Sequence, residues 1–272
     1  MIVPLRKIGK NISEMVDAFT SFESKIKAPF WLFTIVTTIL YTSVGFLFGA
    51  YVHPFLLLVF TCMPIYPVYF SQFKAQQYKK AAFRVLLWAI TISFTIVLLT
   101  VSNPSLASRA VISGTSYKEE MFLWIATGEG AEGDPSAFVP AHLINAAFFT
   151  LLSFATGGLL ALLFGAYQMN YMNFYVGELL SRVAHPTLNN FIIVSLLSWP
   201  VYSIIRVLGF VCIGVATTIP LASKTFKKKI DSKPLTRLLI TGVVLVGLDI
   251  AIKAFVAPYY QKLLHELISV SQ

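Results

Sequence analysis

From Ala28 to Phe73 the sequence contains no aspartate, glutamate, lysine or arginine. A stretch of that length without ionised side chains has no polar face to turn to water, and lipid is the solvent that accepts it. Its backbone groups must then be satisfied within the stretch itself, which makes it helical. Pro29 to about Ala50 is long enough for a first span; the turn Tyr51-Val52-His53 is very short, and a second span begins at Pro54. Within its CMPIYP sequence, Pro64 and Pro67 each remove a backbone donor, so this helix is expected to kink.

Further apolar runs follow at 82–102, 138–168, 191–221 and 238–257. Of the 272 residues 57% are hydrophobic and 12% charged, where a soluble domain carries about 25% charged residues. Too little polar surface exists to cover a water-soluble globule. The expected fold class is therefore all-α, a polytopic helical membrane protein with six or seven crossings. Residues 1–28 would form an amphipathic surface helix, 29–258 the transmembrane domain and 259–272 an amphipathic tail. The N-terminal stripe is Leu5, Ile8, Ile12, Met15, Phe19, Phe22 and Ile26, at helical spacing. It suits lipid headgroups or a recruited protein partner, a second copy of the chain included.

The net charge of +9 lies beside the spans. That is the pattern of basic segments kept on the cytoplasmic side, not of a nucleic-acid binder. It implies a multi-pass protein of the cell membrane with a cytoplasmic N-terminus. No short apolar core followed by a small-residue cleavage site opens the sequence, so no cleavable signal peptide is expected. Cys62 and Cys212 both sit in apolar runs and read as small core hydrophobes. No P-loop, GxGxxG after a strand, CxxCH or HExxH occurs, so no cofactor is expected.

Counting sides exposes a conflict. The N-terminal helix and "KAQQYKK" are basic and belong inside; loop 103–137 is acidic, glycine-rich and belongs outside, with little regular structure expected; "KTFKKKIDSKPLTR", within the basic loop 222–237, belongs inside. The runs 138–168 and 191–221 provide only two crossings between the last two loops, which would leave the most basic segment outside. Three resolutions are open. Residues 171–189 cross as a polar, interior helix. Alternatively, 191–221 is a re-entrant hairpin turning near Trp199-Pro200. Or the charge rule, which is statistical, does not hold here.

Two sets of polar residues are candidates for function. The first is a ligand or ion path formed by Glu178, Arg182, Arg206, Asp249 and Lys253. Charge at membrane depth is costly and faces protein or a cavity. Glu178 with Arg182, and Asp249 with Lys253, are i, i+4 pairs that can neutralise one another. Arg206 needs an acidic partner, Asp249 or Glu178. The leading function is then a carrier, or a membrane-embedded subunit of a larger complex, handling a small polar or lipid-like ligand. A third reading is a scaffold that recruits a partner through its N-terminal helix.

The second set is Glu119 and Glu120, His142, His185 and Asn189. Carboxylates with imidazoles can activate a water. "EEMFLW", "FVPAH" (Phe138 to His142) and "HPTLN" (His185 to Asn189) occur in that order. This order resembles the CAAX-protease and bacteriocin-processing family of intramembrane proteases over about 70 residues of the chain, with Trp124 where the family carries an arginine. The resemblance implies an intramembrane hydrolase. In it Glu119 or Glu120 would act as base toward water, and His142, His185 and Asn189 would hold the water and the oxyanion.

Overall fold

A computed structural model of the protein describes residues 28–268 and, before them, 14, 16–18, 21, 23 and 25. From Phe30 onward these form eleven helices and no strand. The protein is an all-α, multi-pass membrane protein. Six segments are long and apolar enough to cross a bilayer: Phe30–Tyr51, Phe55–Lys74, Tyr78–Ser102, Pro135–Thr156, Val201–Thr225 and Ser232–Leu267.

The first is helix α1 (Phe30–Tyr51). The second is broken, as its prolines dictate, into α2 (Phe55–Cys62) and α3 (Ile65–Lys74). The Trp88 indole donates to the Thr61 carbonyl beside the break at 3.0 Å. Trp88 belongs to α4 (Tyr78–Ser102), whose buried face carries Ala81, Val85, Ala89, Ile92 and Ile96. These residues share one apolar core with α1, α2 and α3.

The polar stretch after α4 is more ordered than its composition suggests. It holds α5 (Pro104–Ala110), capped by the Asn103 side chain, and α6 (Gly114–Thr127). Helix α6 forms because "MFLWI" supplies an apolar face: Met121, Phe122, Trp124 and Ile125 are all buried. The glycine-rich part, about 128–134, lacks helix, as does the short turn 111–113 between the two helices.

The count of sides asks for a further long helix, and one begins inside the run 138–168. That run is one helix and the beginning of another: α7 (Pro135–Thr156) and α8 (Leu159–Leu180) form a hairpin. Gly157 and Gly158 make the turn with φ of 63° and 89°, a left-handed backbone that glycine alone adopts at little cost. Helix α8 spans about 33 Å at 1.5 Å per residue, enough for a hydrocarbon core of about 30 Å. It carries Asn170, Asn173 and Glu178, which dilute its apolar signal. A polar interior helix thus has the length for a crossing, but as 159–180 rather than 171–189; the regular helix stops at Leu180.

The chain then turns through His185 (φ 50°) into α9 (Leu188–Ser198). This helix is about 16 Å long, too short to cross. Trp199-Pro200 does interrupt the run 191–221, but the helix beyond it, α10 (Val201–Thr225), runs through without turning back. Helix α11 (Ser232–Leu267) continues past the expected boundary at 258. The periodic apolar residues of the expected tail extend this helix, and Leu264 is buried with Leu179 and Val194.

With seven long segments, both basic connections lie at one end. Gln76 donates to the Lys229 carbonyl at 3.5 Å, and Phe70 and Phe226 have ring centroids 5.2 Å apart. The N-terminal residues sit at this end too: Lys74 pairs with Asp17 at 2.7 Å, and the buried Arg84 pairs with Glu23. The seven apolar positions of the predicted N-terminal stripe lie outside the described residues.

Candidate functional site

Helices α10 and α11 are the backbone of the site. They approach closely because Gly209 and Gly242 face each other: a Cβ on Gly242 would lie 2.8 Å from the Gly209 carbonyl oxygen and 2.6 Å from Ile213 Cγ1. Small residues at a crossing allow such an approach within a membrane. The contact brings Arg206, three residues before Gly209, to Asp249, seven residues after Gly242. Arg206 donates from Nε at 2.8 Å and from Nη2 at 3.1 Å to the two carboxylate oxygens. We expect Gly242→Leu to cost about 1–3 kcal/mol through overpacking, read as a lower thermal midpoint in nanodiscs. Gly247→Leu on the same helix meets nothing within 4 Å and should leave the midpoint unchanged or raise it.

Asp249 and Lys253 are 0% and 1% exposed. They share a face of α11, yet each draws its main partner from another element. Lys253 Nζ donates to Glu132 Oε2 at 2.8 Å and lies 4.4 Å from the centre of the Phe138 ring. The Tyr202 hydroxyl donates to Glu132 Oε1 at 3.2 Å. Burial pushes the Glu132 carboxyl up, but Lys253, which also donates to it, together with Arg206 and His142 holds the group below its usual value.

His142 on α7 completes the cluster. Its Nδ1 lies 2.8 Å from the Phe138 carbonyl, an acceptor, so Nδ1 carries the proton. Nε2 is buried without a hydrogen-bond partner, 3.8 Å from Asp249 Oδ2.

These groups sit at one end of a cavity of about 220 Å³. Its walls are mostly apolar, among them Trp88, Phe149, Leu162, Phe210 and Val211, and it extends to Tyr69, Ser153 and Gly158. Tyr69 donates to Thr218 at 2.9 Å and Ser153 to the Gly214 carbonyl at 2.9 Å. The cavity is thus charged at one end, aromatic and aliphatic along its length, and hydroxylic at the other.

Of the five path residues expected from the sequence, three converge: Arg206, Asp249 and Lys253. Glu178 instead faces Lys118 on α6 at 3.6 Å. Arg182 lies past the end of α8 with its guanidinium 4.6 Å from the centre of the Phe122 ring. Neither lines the cavity.

Of the second candidate set, His142 alone lines the cavity. Glu119 and Glu120 are exposed on α6, and His185 and Asn189 are exposed where the chain enters α9. Among the described residues, no hydrogen bond or ion pair joins any of these four to His142. No group of three or more His, Cys, Asp or Glu side chains suited to a metal ion occurs among the described residues.

Glu132 is the member that sequence reasoning missed. It is one of five acids in a polar stretch, and spacing does not separate it from Glu129 or Asp134. Charge balance offers the signal: Arg206 and Lys253 are two cations at membrane depth, and Asp249 is one anion. That imbalance leaves room for a second carboxylate, and the structure supplies it from the loop before α7 rather than from Glu178.

No protein-family model, no curated protein and no solved structure matches this chain.

Proposed function

We propose that this protein is a membrane carrier for a small amphiphilic ligand, with the cavity between α4, α7, α8 and α10 as its binding site. In this reading the end bearing Lys74, Lys79, Lys80 and Lys227–Lys229 faces the cytoplasm of a cell membrane, by the preference of basic loops for that side. The N-terminus lies on the same side. One observation carries the reading: a cavity at span depth is lined by members of two ion pairs, Arg206 of one and Lys253 with Glu132 of the other, and Glu132 is supplied by an irregular loop. Helical cores that need only hold together use packing and neutral hydrogen bonds. Ionised groups at that depth mark paths and binding sites, and a mostly apolar pocket with a few convergent polar groups is the usual form of a ligand site.

The reading is tested without knowing the ligand. With Cys62 and Cys212 replaced by alanine, Ser203→Cys places one thiol in the cavity wall. A carrier presents its site to both sides in turn, so this thiol should react with a membrane-impermeant maleimide added on either face in separate experiments. Reaction from one face only, or from neither, is the result that rules out a carrier.

A further inference from the structure

We infer that the cavity takes a single-chain amphiphile with an anionic head, and that Glu132 occupies the place of that head when the ligand is absent. The inference rests on the carrier reading only in using the same cavity.

The charges decide the sign of the head. Arg206, Lys253, Asp249 and Glu132 sum to zero. The two carboxylates are held differently. Asp249 projects from the middle of α11, is 0% exposed and accepts two bonds from Arg206. Glu132 lies between Gly130 and Gly133, in a segment without helix. It can leave by changing a few backbone angles, whereas Asp249 cannot leave without moving a helix. When Glu132 withdraws, the remaining charges sum to +1. The vacancy is bounded by the Lys253 ammonium and the Tyr202 hydroxyl, both donors. A carboxylate or a phosphate monoester satisfies both; an ammonium head meets Lys253 with like charge.

The shape decides the rest. Below Lys253 and Arg206 the cavity wall is Trp88, Phe149, Leu162, Phe210 and Val211. Along α10, from Arg206 to Gly214, this wall extends about 12 Å. An extended alkyl chain of medium length fits such an apolar wall, whereas a compact polar metabolite would leave it in contact with water.

Glu132 is therefore an internal competitor, and removing its charge should help the ligand. The probes are decanoate and decyl phosphate, with decyltrimethylammonium and decanol as controls. Binding to the full chain in nanodiscs is measured by calorimetry against empty discs. Decanoate or decyl phosphate should bind and the two controls should not; the stronger of the two identifies the head as carboxylate or phosphate. Glu132→Gln should tighten anion binding at least fivefold, and Lys253→Met should weaken it at least tenfold. Because Glu132→Gln changes one atom in a loop, its result stands even where Lys253→Met fails to fold.

Unchanged or weaker anion binding by Glu132→Gln overturns the inference, as does equal binding of decyltrimethylammonium. Anion binding together with one-sided labelling of Ser203→Cys supports the site while removing the carrier. Two-sided labelling without preference for anions overturns the ligand class alone.

Discussion

Asp249→Ala should destabilise the protein by about 3–5 kcal/mol, the cost of leaving one partner of a buried ion pair unpaired. The cause is not the loss of an attraction so much as what remains. Arg206 cannot shed its charge, and its Nε and Nη2 donate to no other residue among those described. Of the charged groups lining the cavity with it, Lys253 is a cation and Glu132 is already paired with Lys253, and most of the walls are apolar. The side chain must keep a charge in a poorly solvating place or pull water into the bundle. Unfolding in nanodiscs, followed by circular dichroism against temperature, measures the effect. The double replacement Arg206→Leu with Asp249→Leu is the sharper part of the prediction. It removes both charges and restores apolar volume, so it should recover most of the stability lost in the single variant. Ligand binding should not recover with it, because the cavity then loses one of its two cations. If the double variant proves as unstable as the single one, the pair does not act as a unit.

The two halves of this result differ in how far they can be read from residues alone. That Arg206 and Asp249 lie at membrane depth is written in the runs around them, and a depth argument makes them partners. That Lys253 looks away from Asp249, four residues before it, is not, because the rule for i, i+4 pairs describes isolated helices. Here a loop some 120 residues earlier in the chain competes for the ammonium and wins. Glu178 and Arg182 lie away from the cavity for a related reason. Their spacing suggests one polar side of a helix, but α8 ends at Leu180, and spacing does not say which neighbour each residue meets. Both meet α6, a helix that the glycine-rich composition of its surroundings concealed. Glu119 and Glu120 also lie on α6, on its exposed side, so substitutions there should leave ligand binding in the cavity unchanged.

The number of crossings was recoverable by a different route, and its cause is a pair of residues. Apolar composition cannot distinguish one long span from a hairpin whose turn is itself apolar, and the run 138–168 contains both arms of such a turn. Lysine and arginine carry the missing information, since the side each loop occupies demands one more crossing than the runs provide. What the charges do not give is its position. The polar helix from 159 to 180 begins twelve residues before the stretch that looked most polar, because Leu159 to Ala166 are as apolar as the helix before them. Gly157-Gly158 is the only local mark of the boundary.

Replacing both of those glycines with valine should therefore have a large effect on the architecture. Each position needs a left-handed backbone, which costs a residue with a Cβ about 1–2 kcal/mol, and more for a β-branched side chain. Each is also confined. A Cβ at Gly157 would lie 2.9 Å from Phe70 Cε2, and one at Gly158 would lie 2.8 Å from Tyr69 Cε1 and 2.9 Å from Thr218 Oγ1. Together the two positions should cost about 3–6 kcal/mol once crowding is added, comparable with the total stability of many folded chains. The strain has an outlet that a loop in water lacks. Residues 135–180 can become one continuous helix, which satisfies every backbone group but deletes a crossing. Everything after it then changes sides, Lys227–Lys229 included. Lys79→Cys and Lys228→Cys, introduced separately, report this directly. In the native protein both should react with an impermeant maleimide from one face. In the double-valine variant a fraction of the molecules should show the thiol at 228 on the opposite face, with the remainder lost to degradation. Gly157→Asn should be milder than Gly157→Val, since asparagine tolerates the left-handed region. A double-valine protein with native melting and both thiols still on one face would mean that another element sets the turn, and that the hairpin does not depend on its glycines.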